Sequence, residues 1–330
     1  MTRRSLTLAC APYDRTLPLF DGRVRAEGLD LNVILLRYED TFWRQLRHQE
    51  FDASEMSLSS YFIAKERGPD LIAIPVFLSR VFRHSSIYVN AHAGIKTAAD
   101  LKGKRVGVPE YQMTAALWIR GILEHEYGVP PSAVRWFNGG LDEPGREEKL
   151  KLNLPANVSL QSIPNDRTLN DMLVKGELDA LTTARPPSSF VSGNPAVKRL
   201  FDDSKAEEIA YWKKTGIYPP MHCVAIRRDV YEKDRWIAQA LFKAFKDAQK
   251  LCTITDMWDG HLRYSLPFLH HAAEESMRVF GDVDPWRYGL EENRKTIETM
   301  VQYSHEQGLI PRRYALDELF AKETLDASKN

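Results

Sequence analysis

The sequence predicts an α/β protein with two lobes and a helical C-terminal extension. Three observations carry that expectation. Short apolar runs alternate with helical patterns from residue 5 to residue 226. The chain has 330 residues, too many for one small core and suited to two lobes of ordinary size. Beyond Arg228 the strand signal stops and three helical patterns follow.

In chain order, residues 5–10 (SLTLAC) read as a first strand and residues 31–36 as a second, a continuous apolar run of the buried type. Residues 38–49 form a helix and residues 51–56 a short strand. Ser57 to Ser60 then cap a helix reaching about Arg67, because a serine oxygen satisfies the free amides of a first turn. This leaves the hydroxyls of Ser57 and Ser59 facing whatever lies above the strand ends. Gly68-Pro69 stops that helix, and residues 71–77 are another buried strand. The next segment, SRVFRHSSIYV over residues 79–89, sets Arg80, Arg83 and His84 before or at the start of a strand.

The stretch KGKRVGVPEYQMTAALWIRGIL, residues 102–123, reads as strand, sharp loop and a helix apolar on most sides. Its loop, with Glu110, Tyr111 and Thr114, lies at a strand's carboxyl end and a helix's amino end, where open α/β sheets bind ligands. Unpaired amides favour an anion there, so a carboxylate beside them stands out. Strands follow at 134–137, 158–163 and 177–181, with a helix at 169–175. Residues 139–157, rich in Glu, Lys, Gly and Pro, read as a surface excursion. The loop TTARPP, with Thr183 and Arg185, follows a strand end and is a second candidate ligand loop. Residues 216–226 return as a strand interrupted by Pro219-Pro220, and helices are predicted over 236–252, 262–280 and 291–307. The expected division is a first lobe over 1–102, an inserted lobe over 103–222, and a return with terminal helices over 223–330. Two crossings make a hinge, with the ligand between the lobes.

Lys+Arg and Asp+Glu number 45 each, so the balance favours neither nucleic acid nor an acidic membrane surface as partner. Three cysteines without a pairing pattern fit a reducing compartment. Thr2-Arg3-Arg4 imitates a twin-arginine signal, but the apolar run after it is short and ends at Pro12. No stretch reaches the length of a membrane span, and a cytoplasmic location is expected.

LKGKRVGV (101–108), GELDA (176–180) and FDASEMS (51–57) resemble segments of the type II periplasmic-binding-protein fold. More specific are RVFRHSSIYVN (80–90), VGVPEYQMTA (106–115), PMHCVAIRR (220–228), YGLEENR (288–294) and YSHEQGL (303–309). Together, over essentially the whole chain, they resemble the 4,5-dihydroxyphthalate decarboxylase family. The resemblance implies loss of one carboxylate from a dihydroxylated aromatic dicarboxylate, giving protocatechuate. It implies no cofactor, since the ring itself holds the charge. The competing expectations are a solute receptor for a small anionic aromatic compound, which must be exported, and a thiamine-precursor synthase, which a cysteine-rich iron site would mark.

Such a substrate needs a cation fork for the retained carboxylate, an acid at the reacting carbon and an acceptor at the para hydroxyl. Arg80, Arg83 and Arg185 are the candidate forks, since guanidinium binds carboxylate through paired N–H groups. His222 and His84, on the two crossing segments, are the candidate acids. Glu110, with Tyr111 near it, is the candidate acceptor, and Ser57, Ser59, Thr114 and Thr183 offer neutral hydrogen bonds. His261, His270 and His271, with Asp256 and Asp259, match no zinc spacing, and no metal site is expected. No GxSxG elbow or phosphate loop is present. The apolar helix with Trp118 and the long terminal helices suggest contacts between subunits of a homo-oligomer.

Overall fold

The computed structural model describes residues 3–253, 262 and 264–325. Its strands are β1 (Arg4–Cys10), β2 (Leu29–Leu35), β3 (Ala53–Ser57), β4 (Leu71–Arg80), β5 (Ile87–Asn90), β6 (Arg105–Val108), β7 (Arg135–Asn138), β8 (Ser159–Ser162), β9 (Ala180–Thr182), β10 (Val197–Arg199) and β11 (Pro220–Arg227). They form two mixed sheets, in the orders β2-β1-β3-β11-β4 and β10-β5-β9-β6-β7-β8. The apolar runs at β4 and β11 are buried along nearly their whole length, as strands covered on both faces must be.

The chain changes sheet between Arg80 and Ile87, earlier than the expected boundary at residue 102. β5 pairs with β9 and β10 and so sits in the second sheet. The return falls between Arg199 and Pro220. The strand expected from residue 216 starts only at Pro220, after the helix Ser204–Thr215 has closed on Gly216 in a left-handed turn (φ 67°). β11 runs antiparallel between β3 and β4, and its register slips on either side of His222, which faces Ser57 on one neighbour and Ser79 on the other. Such a slip re-aims a side chain out of the regular pleat.

The helix Thr114–Tyr127 is buried from Thr114 through Leu123, as its all-round apolar sequence demands. Its cover comes from the same chain. The helix Arg294–Glu306 lays the Tyr303 ring on Gly121, so close that a Cβ there would have no room. Trp118 Nε1 donates to the Pro220 carbonyl at 3.0 Å. Buried Arg120 donates to Gln307 at 2.8 Å and to the Tyr111 carbonyl at 2.7 Å. The apolar helix read as a subunit contact is therefore satisfied internally.

Two further expectations change. The excursion over 139–157 folds back: Leu150, Leu152 and Leu154 pack against the large core shared by both sheets. The helix expected from 262 starts at Leu269, after Pro267, whose ring resists a place inside a helix. Asp256, Asp259 and His261 lie outside the described residues. No helix among the described residues is long and apolar enough to cross a membrane.

Candidate functional site

A small chamber of about 40 Å³ lies between the sheets, lined by residues of both. Glu39 and Arg146 also line a neighbouring vestibule of about 750 Å³. The vestibule falls within the roughly 300–1,000 Å³ range of small-molecule sites, and the chamber is a constriction at its base.

His222 enters the chamber from the irregular part of β11. Its Nδ1 lies 2.6 Å from Glu55 Oε1, which leaves Nε2 as the nitrogen available to the chamber. The rings of Tyr38 and Phe42 flank the imidazole, with centroids at 5.1 and 4.9 Å. Glu55 is wholly buried, and it accepts from Tyr13 Oη at 2.7 Å and from the Ala11 amide at 2.9 Å. Burial pushes the Glu55 carboxyl up, but the bonds and charge of His222 with the bonds of Tyr13 and Ala11 outweigh it and hold it below the usual range.

Arg83 lies in the crossing segment between β4 and β5 and is buried. Its acceptors are weak and neutral: Met221 Sδ at 3.2 Å, the Ala184 carbonyl at 3.3 Å and Ser86 Oγ at 3.4 Å. Among the described residues no carboxylate lies within ion-pair distance of it, and burial pulls its guanidinium down to about 10. Ser57 and Thr114 meet across the chamber, 3.0 Å between hydroxyls, and Thr114 Oγ1 also accepts from the Ser59 amide at 3.0 Å.

The folded-back loop supplies two more cations. Arg146 and Lys149 reach Glu110 at 2.7 and 2.5 Å, and Glu148 accepts from Gln112 Nε2 at 2.8 Å. Glu110 is itself fully buried beneath them and does not line the chamber. Glu39, on the helix Tyr38–His48, lies 3.5 Å from both Arg146 and Arg185, and so spans the chamber mouth.

Other sequence candidates sit apart from the chamber. Arg80 donates to the carbonyls of Tyr218 at 2.9 Å and Arg287 at 3.1 Å, and to Asn293. Half-exposed Arg185 lines the vestibule. Tyr111 lies under the Arg120 guanidinium, 3.5 Å from its ring centroid, and Thr183 is buried with its amide on the Ser86 carbonyl. The Ser59 hydroxyl is buried without a partner. His84 is enclosed by Tyr127, Phe201 and Tyr211. The described residues hold one group with metal-ligand spacing, Glu124, His125 and Glu306; it lines neither cavity, and Glu306 is engaged by Arg313 at 3.1 Å.

No protein-family model matches the chain. A 4,5-dihydroxyphthalate decarboxylase of Comamonas testosteroni is 40% identical over 331 residues, covering 100% of both chains. The chain belongs to the 4,5-dihydroxyphthalate decarboxylase family. A second member of that name, from Pseudomonas putida, is 47% identical over 204 residues, 62% of this chain and 79% of the relative. Among solved structures, the periplasmic aliphatic sulphonate binding protein SsuA of Escherichia coli aligns over 98% of this chain and 99% of its own, with TM-score 0.54 at 14% identity. A putative sulfonate-binding SsuA of Methylobacillus flagellatus gives TM-score 0.56 over 99% and 94%. The decarboxylase-family chain thus has the fold of periplasmic binding proteins, with helices added at the C-terminus.

Sequence reasoning missed Glu55, Tyr13, Arg146, Lys149 and Glu39 in this family member. Only burial reveals Glu55: an acid inside a strand whose every residue is buried needs a partner. The alternation KLKLNLP over 149–155 marks a packed segment rather than a free loop.

His84 supports a prediction on stability. Burial lowers it to about 4, and its Nδ1 has no hydrogen-bond partner. The neutral form is favoured only in the folded state, so the contribution is complete above the unfolded pKa near 6.5 and is lost as pH falls toward 4. The loss amounts to roughly 3 kcal/mol. Urea unfolding at stepped pH is expected to show a flatter acid limb for His84→Leu than for the parent. Identical limbs would rule the effect out.

Proposed function

We propose that the chain catalyses non-oxidative decarboxylation of 4,5-dihydroxyphthalate to protocatechuate, in the cytoplasm and without a cofactor. The observation that carries this reading is Arg83, a buried guanidinium with no carboxylate partner among the described residues, lining the same chamber as the outward nitrogen of His222. A buried charge of this kind is costly until an anion reaches it. Among the residues that line the chamber, Arg83, Arg146 and Lys149 outnumber the one acid, Glu39, by two, the complement of a dicarboxylate.

In this reading Arg83 grips the retained carboxylate, with Ser57 and Thr114 adding neutral bonds. His222 delivers a proton from Nε2 to the ring carbon bearing the other carboxylate. The C–C bond then breaks, its electrons return to the ring and CO₂ leaves. One proton is taken up per turnover, and neutral His222 regains it from solvent. Glu39 is the one acid among the chamber residues and suits the acceptor role at the hydroxyl edge. Glu110 anchors Arg146 and Lys149 instead.

Incubation of the purified protein with 4,5-dihydroxyphthalate tests the reading directly. Equimolar CO₂ and protocatechuate are expected. Tight binding without turnover would instead favour a receptor, the role of the sulphonate-binding neighbours.

A further inference from the structure

We infer that Glu55 is a positioning residue for the reaction: it orients His222 through Nδ1 and sets its negative charge against that ring, so that Nε2 faces the ring carbon to be protonated. The inference rests on the proposed role of His222 as donor. A purely structural reading of Glu55 leaves a difficulty. A carboxylate buried to 0% exposure is expensive, and a neutral side chain of the same shape fills the space at lower cost. What the charge supplies is a fixed partner for one ring nitrogen, which sets the tautomer and direction of the other. The three bonds to Glu55 are arranged for that task. The Ala11 amide fixes Oε2 at 2.9 Å, and Tyr13 Oη and His222 Nδ1 share Oε1 at 2.7 and 2.6 Å. The irregular register at His222 turns the ring toward the chamber, and Tyr38 and Phe42 hold it there.

The surroundings give the sign of the effect. Facing His222 from the chamber are Arg83, Arg146 and Lys149, all cationic, with Tyr38 and Glu39 on the flanking helix. Beneath it, around Glu55, are Tyr13 with Arg15 over its ring at 4.4 Å, and Cys10 and Cys223, which burial keeps as thiols. Arg83 faces the ring without a carboxylate among the described residues, Arg146 and Lys149 share Glu110, and Glu55 is the anion in direct contact with His222. Glu55→Gln removes the negative charge that touches the ring. An opposite charge at contact distance is worth about 1–3 pH units.

The test compares Glu55→Gln, Tyr13→Phe and His222→Asn with the parent enzyme, measuring kcat against pH and the dissociation constant of 4,5-dihydroxyphthalate. Glutamine keeps the shape and one acceptor: with its oxygen on the Ala11 amide, its NH₂ faces Tyr13 Oη and His222 Nδ1, and substrate binding reports independently on whether the fold is kept. For Glu55→Gln the alkaline limb of kcat is expected to move about 1–2 units acidward. At pH 8 kcat then falls about 10- to 100-fold while the dissociation constant changes less than about threefold. Tyr13→Phe deletes a buried bond to the same carboxylate but keeps the charge, and its limb is not expected to move acidward. Loss of turnover in His222→Asn with an unmoved limb in Glu55→Gln would overturn the inference and leave His222 as donor. So would equal acidward movement in Glu55→Gln and Tyr13→Phe, which would mark a packing effect. Near-normal turnover in His222→Asn would instead remove the reading of the donor itself.

Discussion

Replacing Arg83 by methionine is expected to weaken 4,5-dihydroxyphthalate binding by about 2–5 kcal/mol, roughly 30-fold to several thousand-fold. The same change is expected to raise the melting temperature of the ligand-free protein. The two effects have opposite signs for one reason. Without substrate, the guanidinium is a buried charge whose acceptors are a thioether, a hydroxyl and a carbonyl, all at 3.2 Å or beyond. Methionine fills much of that space without the desolvation cost. With substrate, the buried guanidinium meets a carboxylate, and a charge-assisted fork is strongest away from bulk water. Titration calorimetry and thermal unfolding of the same preparation read both signs. An unchanged affinity would remove Arg83 from the carboxylate site, and a lowered melting temperature would show that its neutral bonds outweigh its burial.

His222→Asn is expected to reduce kcat by about 10²- to 10⁴-fold, the usual contribution of a positioned proton donor. The dissociation constant should change little, because asparagine keeps a polar group of similar reach beside Glu55. The asymmetry is the diagnostic part: losing a contact made equally to bound substrate and transition state raises KM, whereas losing a proton transfer lowers kcat. Single-turnover measurements separate the chemical step from product release. A mutant that turns over normally while binding normally would move the proton donor elsewhere in the chamber.

The fold was readable because its signals are local. Apolar runs ending at Gly68-Pro69 and at Pro109, and serines before the helix Leu58–Arg67, fix elements within a few residues. Part of the candidate site was readable for a related reason: Ser57, Thr114, Arg83 and His222 fall in the strand-end and crossing segments that the sequence marks out. The rest depends on pairs far apart in sequence. Arg146 and Lys149 stand 36 and 39 positions from Glu110, and nothing in a Glu- and Lys-rich loop says which acid it will meet. His84 and His222 looked alike, each a lone histidine on a crossing segment. They are separated by Tyr127, Phe201 and Tyr211, which enclose the first, and by Glu55, which holds the second. Glu55 was hidden because an acid in a short strand passes for a residue of the solvent face.

The helix Thr114–Tyr127 belongs by sequence to the inserted lobe, yet one apolar cluster joins it to the strands and helices of the first. Swinging the halves apart as rigid jaws would tear that cluster open, at tens of calories for every square ångström wetted. Mobility is cheaper at the opposite rim, where Glu39 meets Arg146 and Arg185 through two loose ion pairs of 3.5 Å. Those pairs form a charged doorway where the chamber meets the vestibule. Dissolved salt, which screens such contacts, sets how readily the doorway yields.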